Sequence, residues 1–329
     1  MNPFLTVLTT PVVPGNRRIY QRMRSALRPL VKSGTPLPAT SPYPGHYALT
    51  RSVVEGLRQL DADFNFNPRT LGEVARVVYA PANEALRQAA DWKRTGRIDC
   101  LVAGPVNALS PSEDGGVLML PEIDCLIVAS NWVRDLYRDS ALSLVAKCRT
   151  CPSGVDAVAW TPTASAPSGR AVVFWKSGPE SQCIAVERAV AQQGWDPVRI
   201  RYGTYNTTTY RKALDGAAVA VFLSAFETQG LALAESWAMN VPTMVWNPLT
   251  RTEWRGWSFT AGSSAPYLSE ATGAFWQSLE ELDRALARVR IEDHSFRPRD
   301  WVLAHMTDAV CARRLFTTIE EVSRVAVVQ

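Results

Sequence analysis

The chain has 329 residues, of which 47% are hydrophobic and 20% charged, and its formal net charge is +4. That length predicts two domains of about 150 residues each, both large enough to bury a core. The composition excludes a disordered or fibrous protein, and no apolar run approaches the ~18 residues of a membrane span.

The apolar run from Phe4 to Val13 is broken by threonines and prolines, and its arginines follow rather than precede it. This does not read as a secretory signal, so a cytoplasmic protein is expected. Six cysteines in so long a chain fit reduced thiols better than a disulfide framework. The pair Cys148-Arg-Thr-Cys151 has no companion ligands for zinc, and is read as structural or incidental.

In chain order, Phe4 to Leu8 reads as a strand. Arg17, Arg18, Arg22, Arg24, Arg28 and Lys32 then follow with no acid among them. They form a solvated helix face or a basic surface for anionic lipid, which would hold the protein peripherally at the inner membrane face. Nucleic acid is not expected, because no aromatic-studded basic module accompanies them. The proline-rich stretch Gly34 to Gly45 is an extended loop. Tyr47 to Leu60 reads as a helix, Asp63 to Phe66 and Val77 to Ala80 as strands, and Asn83 to Thr95 as a helix. Cys100 to Ala103 and Cys125 to Val128 are strands, and Trp132 to Arg138 is helical. Asp61-Ala-Asp63 imitates a metal-binding DxD, yet its place between helix and strand marks it as a turn.

The second half repeats the rhythm. Ala171 to Trp175, Val198 to Tyr202, Val219 to Leu223 and Thr243 to Trp246 read as strands. Ser181 to Gln193, Thr207 to Leu214, Leu231 to Met239, Leu279 to Val289 and Trp301 to Val325 read as helices. Such alternation predicts an α/β protein with parallel sheets. Domains are placed at 1–157 and 170–329, with residues 158–169, poor in large apolar side chains, as the linker.

The segment Val219 to Ala238 carries the chemistry. A buried strand ends, the polar loop Ser224-Ala-Phe-Glu-Thr-Gln-Gly230 follows, and a helix begins at Leu231. Loops beyond the carboxyl ends of parallel strands line ligand crevices. The unpaired N–H groups at a helix entrance suit a diphosphate, and Gly230 lets it approach the backbone. Glu227 in the loop is placed to accept hydrogen bonds from sugar hydroxyls, and Glu235 in the helix to reach a ribose diol.

Glu227, seven residues and then Glu235, with Gly230 between and Val241-Pro242 after, resembles the nucleotide-sugar motif of retaining GT-B glycosyltransferases of family 4. Leu126-Ile-Val-Ala-Ser-Asn-Trp-Val-Arg134, Pro152-Ser-Gly-Val-Asp156, Val172-Val-Phe-Trp-Lys176 and Phe296-Arg-Pro-Arg-Asp-Trp301 resemble further stretches of the same family in the same order. The resemblance covers Leu101 onward and is faint before it. It implies two Rossmann-like domains facing each other across a cleft. The implied reaction moves a sugar, with retained configuration, from a nucleoside-diphosphate sugar to a hydroxyl of a glycan or lipid-linked acceptor, in cell-surface polysaccharide or glycolipid synthesis. No cofactor and no metal are implied.

Lys176 stands where the family meets the donor phosphates, without the glycine and arginine many relatives add. Their first-domain histidine has no clear counterpart; His46, in Pro44-Gly45-His46-Tyr47, is the candidate. Lys176, Glu227 and His46 are therefore the expected catalytic residues. Thr228, Gln229, Gly230, Leu231 and Glu235 are expected at the donor. Tyr202 and Gly203, with Tyr205, are expected to border the base, and Asn107 and Ser110, after a buried strand, the acceptor side. Two other readings stay open: a nucleotide-sugar-binding protein without transferase activity, and another GT-B enzyme such as an epimerase.

Overall fold

A computed structural model describes residues 3–13, 46–164, 169–291 and 295–326. The basic stretch Arg17 to Lys32 and the proline-rich loop lie outside them. None of the described helices is long and apolar enough to cross a membrane. Two compact units are present, each considered by itself below: Met1–Val128 with Tyr137–Arg149 and Ala312–Gln329, and Ala129–Leu136 with Thr150–Cys311.

In the first unit, β1 (Leu5–Val7), β2 (Phe64–Phe66), β3 (Val77–Ala80), β4 (Cys100–Ala103), β5 (Cys125–Val128) and β6 (Cys148–Thr150) form one sheet in the order β2-β1-β3-β4-β5-β6. The ladders from β2 through β5 are parallel. Strands β3, β4 and β5 are buried throughout, which explains their uninterrupted apolar sequences, since helices cover both faces of parallel sheets. The helices are α1 (Tyr47–Gln59), α2 (Asn83–Arg94), α3 (Asn131–Ser140), which straddles the two units, and α4 (Leu142–Lys147). Asp61 has a left-handed φ of 51° just after α1, and Asp63 Oδ2 accepts from Phe4 N–H at 2.9 Å. These acids make a turn and hold the start of β1.

In the second unit, β7 (Arg170–Trp175), β8 (Asp196–Arg201), β9 (Val219–Leu223), β10 (Thr243–Trp246) and β13 (Gly273–Trp276) form a parallel sheet in the order β13-β10-β9-β7-β8. The connecting helices are α5 (Glu180–Gln192), α6 (Thr207–Leu214), α7 (Leu231–Ala238) and α8 (Leu279–Arg290). Successive side chains of β7 go to opposite faces: Val172 and Phe174 join a cluster with Tyr210, Leu233 and Trp237, while Ala171 and Val173 join one with Val186, Leu282 and Leu286. A short antiparallel hairpin, β11 (Arg251–Trp254) and β12 (Trp257–Thr260), stands apart from this sheet. It is absent from the sequence-based expectation, as are α4, β6 and β13.

The helix expected from Trp301 to Val325 is two helices, α9 (Pro298–His305) and α10 (Asp308–Ala326). The break is made by Thr307, which is bridged to Val155, while Val155 N–H donates to Met306 O at 2.9 Å. A β-carbon on Gly154 would stand 2.5 Å from Asp308 N and Cα, so only glycine permits this crossing of two chain segments. The two units are not continuous stretches of the chain. Residues from Ala312 onward belong with the first unit, and Ala129–Leu136 with the second.

Candidate functional site

In the second unit β7 is flanked by β8 on one side and β9 on the other, so the crossovers leave it in opposite directions. Open parallel sheets bind ligands beyond the carboxyl ends of strands at such a switch point. Here those ends carry Lys176, after β7, and the loop Ser224 to Gly230, after β9. The two loops are stitched together: Lys176 and Ser177 N–H both donate to Leu223 O, at 2.9 and 3.0 Å, and Ala225 N–H donates to Ser177 Oγ at 2.6 Å.

Lys176 Nζ lies 2.7 Å from Glu227 Oε1, with the side chains 28% and 16% exposed. The two charges meet where sequence order alone places them far apart. The Ser224 hydroxyl is 2.9 Å from the same carboxylate oxygen. Lys176 Nζ is also 5.0 Å from the centre of the Tyr202 ring, whose negative face attracts an ammonium. Tyr202 is exposed and edge-on to Phe174, and Gly203 beside it has a φ of 81° in a turn with open space around it. Tyr205 is packed on Phe174 and Tyr210. Burial pushes its phenol above the ordinary range, and the negative charges of Glu235 and Glu227 add to the shift.

Gly230 caps α7 in the left-handed conformation, φ 86° and ψ 63°. Its carbonyl accepts from Leu233 and Ala234 N–H at 3.1 and 3.2 Å, so the helix turns at once. The N–H groups that open it carry the positive end of its dipole. Leu231 and Glu235 are half-buried in α7, and Thr228 is half-buried in the loop.

The backbone of this loop is held from outside it. Trp132 Nε1 donates to Glu227 O at 2.9 Å, Ser130 Oγ to Thr228 O at 2.6 Å, and Glu227 N–H to Ser263 O at 3.2 Å. Ser130 and Trp132 lie in Leu126–Arg134, a stretch the family resemblance marks without giving it this task. No local pattern in the sequence announces these three bonds.

Three of the expected ligands have partners within the protein. Gln229 is 7% exposed, and its amide is engaged twice with Ser153, donating to Ser153 O at 2.6 Å and accepting from Ser153 N–H at 2.9 Å. It clamps the Pro152 to Asp156 turn to the loop and presents no free amide to a ligand. In the first unit, Asn107 is buried and its Oδ1 accepts from Gly104 N–H at 2.5 Å. Ser110 is also buried, with its hydroxyl 3.0 Å from that of Ser112. Both shape the turn after β4. His46 is exposed at the start of α1, where its carbonyl accepts from Thr50 N–H and its imidazole makes no cap.

No protein-family model matches the chain, and no curated protein matches it. Solved structures do. Anabaena Alr3699/HepE in complex with UDP-glucose has 13% identity and a TM-score of 0.54, over 96% of this chain and 99% of that one. The catalytic domain of starch synthase IV from Arabidopsis thaliana, bound to ADP and acarbose, has 10% identity and a TM-score of 0.53 over the whole of both chains. The apo lipopolysaccharide outer core galactosyltransferase WaaB has 9% identity and a TM-score of 0.52, over 96% of this chain and 99% of that one. These neighbours are GT-B glycosyltransferases, and their likeness to this chain is one of architecture: the chain has the GT-B fold.

Proposed function

We propose that the chain is a retaining glycosyltransferase similar to those of family 4, moving a sugar from a nucleoside-diphosphate sugar to a hydroxyl of a glycan or lipid-linked acceptor. The observation that carries this reading is the Lys176–Glu227 pair at the β7/β9 switch point, beside the entrance of α7. The diphosphate would lie against the first N–H groups of α7, with Gly230 admitting it and Glu235 reaching the ribose diol. Lys176 would leave Glu227 for the phosphates, freeing the carboxylate to hold the sugar hydroxyls.

As the glycosidic bond breaks, negative charge grows on the leaving diphosphate. Lys176 and the N–H groups near Gly230 and Leu231 are positioned to stabilise it, without an obligatory metal or cofactor. In this reading the leaving phosphate takes the acceptor proton on the same face, which retains configuration. HepE and starch synthase IV, crystallised with UDP-glucose and with ADP, support a nucleotide-sugar donor.

A thermal-shift screen of nucleotide sugars tests the donor, because a ligand at a hundred times its Kd stabilises the folded state by about 2.7 kcal/mol. The expected result is one or two nucleotide sugars that raise the midpoint, followed by transfer of their sugar to a carbohydrate acceptor. If no nucleotide sugar shifts the midpoint, the reading is wrong. Chelation should leave turnover intact; loss of turnover restored by added metal would overturn the metal-independent part.

A further inference from the structure

The hairpin β11–β12 lies between β10 and β13 in the chain. Its neck is closed by Ser264, whose N–H donates to Asn247 Oδ1 at 3.1 Å and whose hydroxyl donates to Trp246 O at 2.6 Å. At its tip Arg255 and Gly256 have φ values of 49° and 79°, the two positive values of a tight type I′ connection. Pairing sets Trp254 opposite Trp257 and Thr252 opposite Phe259. Directly opposed residues share a face of an antiparallel ladder. One face of the hairpin is therefore aromatic, and Arg251, Glu253, Ser258 and Thr260 occupy the other.

The aromatic face is continuous with the loop that carries Glu227. Phe226 is edge-on to Trp254 at 6.2 Å, to Phe259 at 5.6 Å and to Trp132 at 6.3 Å. Just past the hairpin, Ser263 O accepts the Glu227 N–H. Trp254 nevertheless keeps 38% of its surface exposed, and the Arg255 guanidinium stands 5.5 Å from the centre of its ring. An indole that keeps this exposure, with a guanidinium over its ring and packed on the phenyl ring that precedes Glu227 in the chain, suits a pyranose entering beside the guanidinium. The ring C–H groups lie against the negative face of the indole, and the hydroxyls accept from the guanidinium.

We propose that this face, headed by Trp254, is a carbohydrate subsite that stacks a sugar ring of the acceptor glycan beside the Glu227 loop, with Arg255 fixing its hydroxyls. The assignment to the acceptor rests on the transferase reading; the binding of carbohydrate does not. Tryptophan and arginine at a tip also suit a lipid headgroup layer. The geometry favours the sugar, because Trp254 and Trp257 are turned onto Phe226 and Phe259 and share the wall of the Glu227 loop.

The test uses the full chain, Trp254→Ala and Trp254→Phe, on an array printed with neutral and acidic oligosaccharides. Vesicles of phosphatidylglycerol and phosphatidylcholine, and calorimetry with UDP-glucose, complete it. Wild type should bind a subset of the glycans, and Trp254→Ala should weaken that binding roughly tenfold, the scale of one lost aromatic contact. Trp254→Phe, which keeps a smaller face and the edge contact, should fall between, so the outcome does not depend on the alanine variant folding. Affinity for UDP-glucose should be the same in all three. The subsite is overturned if wild type binds no glycan, if both variants bind as wild type does, or if the substitutions abolish only vesicle sedimentation. A wild type that binds glycans and no nucleotide sugar would sink the transferase reading and leave the subsite standing.

Discussion

At Gly230 the backbone is left-handed, and a β-carbon would stand 2.7 Å from Leu233 Cδ1. Gly230→Ala should therefore cost about 1–2 kcal/mol in denaturant unfolding and weaken nucleotide-sugar binding; stability equal to wild type would show that the loop relaxes freely. On the proposed function, Glu235→Ala should lower affinity for whichever nucleotide sugar shifts the midpoint in the screen, without that stability loss, and unchanged affinity in calorimetry would remove its proposed ribose role. Gln229 behaves differently. Gln229→Ala leaves the Ser153 N–H and carbonyl buried without their partner, at a cost of about 2 kcal/mol, whereas a ligand role would predict a change in binding at unchanged stability. Burial, reinforced by Asp124, pushes the Cys100 thiol up to about 12, so it should resist alkylation at neutral pH until the protein unfolds.

These residues differ in how much the sequence reveals. The placement of Glu227 and Gly230 in one loop and of Glu235 in the helix after it is legible, because spacing along the chain sets it. The partner of Lys176 is not, since it comes from a different strand end. The internal partners of Gln229, Asn107 and Ser110 are not legible either: position after a buried strand tells which loop reaches the switch-point edge, and says nothing of which polar side chains turn inward to hold the loop itself.

Among the elements, the loop Ser224 to Gly230 is held by the segment that opens α3. Trp132→Phe keeps the ring and deletes the bond to Glu227 O, and Ser130→Ala deletes the bond to Thr228 O. Each should raise amide exchange between Phe226 and Gly230 several-fold, as about 1 kcal/mol of restraint is lost. Exchange confined to the substituted segment would argue against the restraint. Helix α6 gives a comparison whose cap shares no bond with Ser130 or Trp132: Asn206 Oδ1 accepts from Thr209 N–H at 2.8 Å, and Asn206→Ala should cost about 1 kcal/mol and raise exchange first in α6.

The long apolar strands were read to within a residue or two, because burial on both faces leaves nothing polar to blur their limits. The hairpin was not read. Its strands are short and half polar, and its signal is the local Trp254-Arg255-Gly256-Trp257, which only pairing makes into a turn. The break between α9 and α10 escaped for a complementary reason: Thr307 leaves the helix to bridge Val155, a partner far away in sequence.

For the molecule as a whole, acid should be the weak side. Hydrogen bonds from Thr163 and Ala164 lower the pKa of Asp215, and Arg87 lowers that of Asp114. Backbone hydrogen bonds, that of Arg69 first, lower Glu73. Groups with depressed folded values stabilise above their unfolded values and lose that contribution as pH falls through the folded ones. The thermal midpoint should be level above about pH 5 and fall below about pH 4. Asp215→Asn, which removes the carboxylate tying Thr163 and Ala164 to the second unit, should flatten part of that fall; an unchanged slope would show that the tether contributes nothing.

Helix α10 has a consequence for synthesis. Its first residues, Asp308 to Cys311, belong to the second unit, and from Ala312 it belongs to the first, where Phe316 meets Phe4 with ring centres 5.5 Å apart. Phe4 thus waits for a side chain translated about 300 residues later. Vectorial folding, in which an amino-terminal half settles before the rest appears, is closed to this unit. Until Phe316 emerges, Phe4 lacks that partner, and a released chain truncated before Ala312 should be cut by protease within the first unit while the second resists.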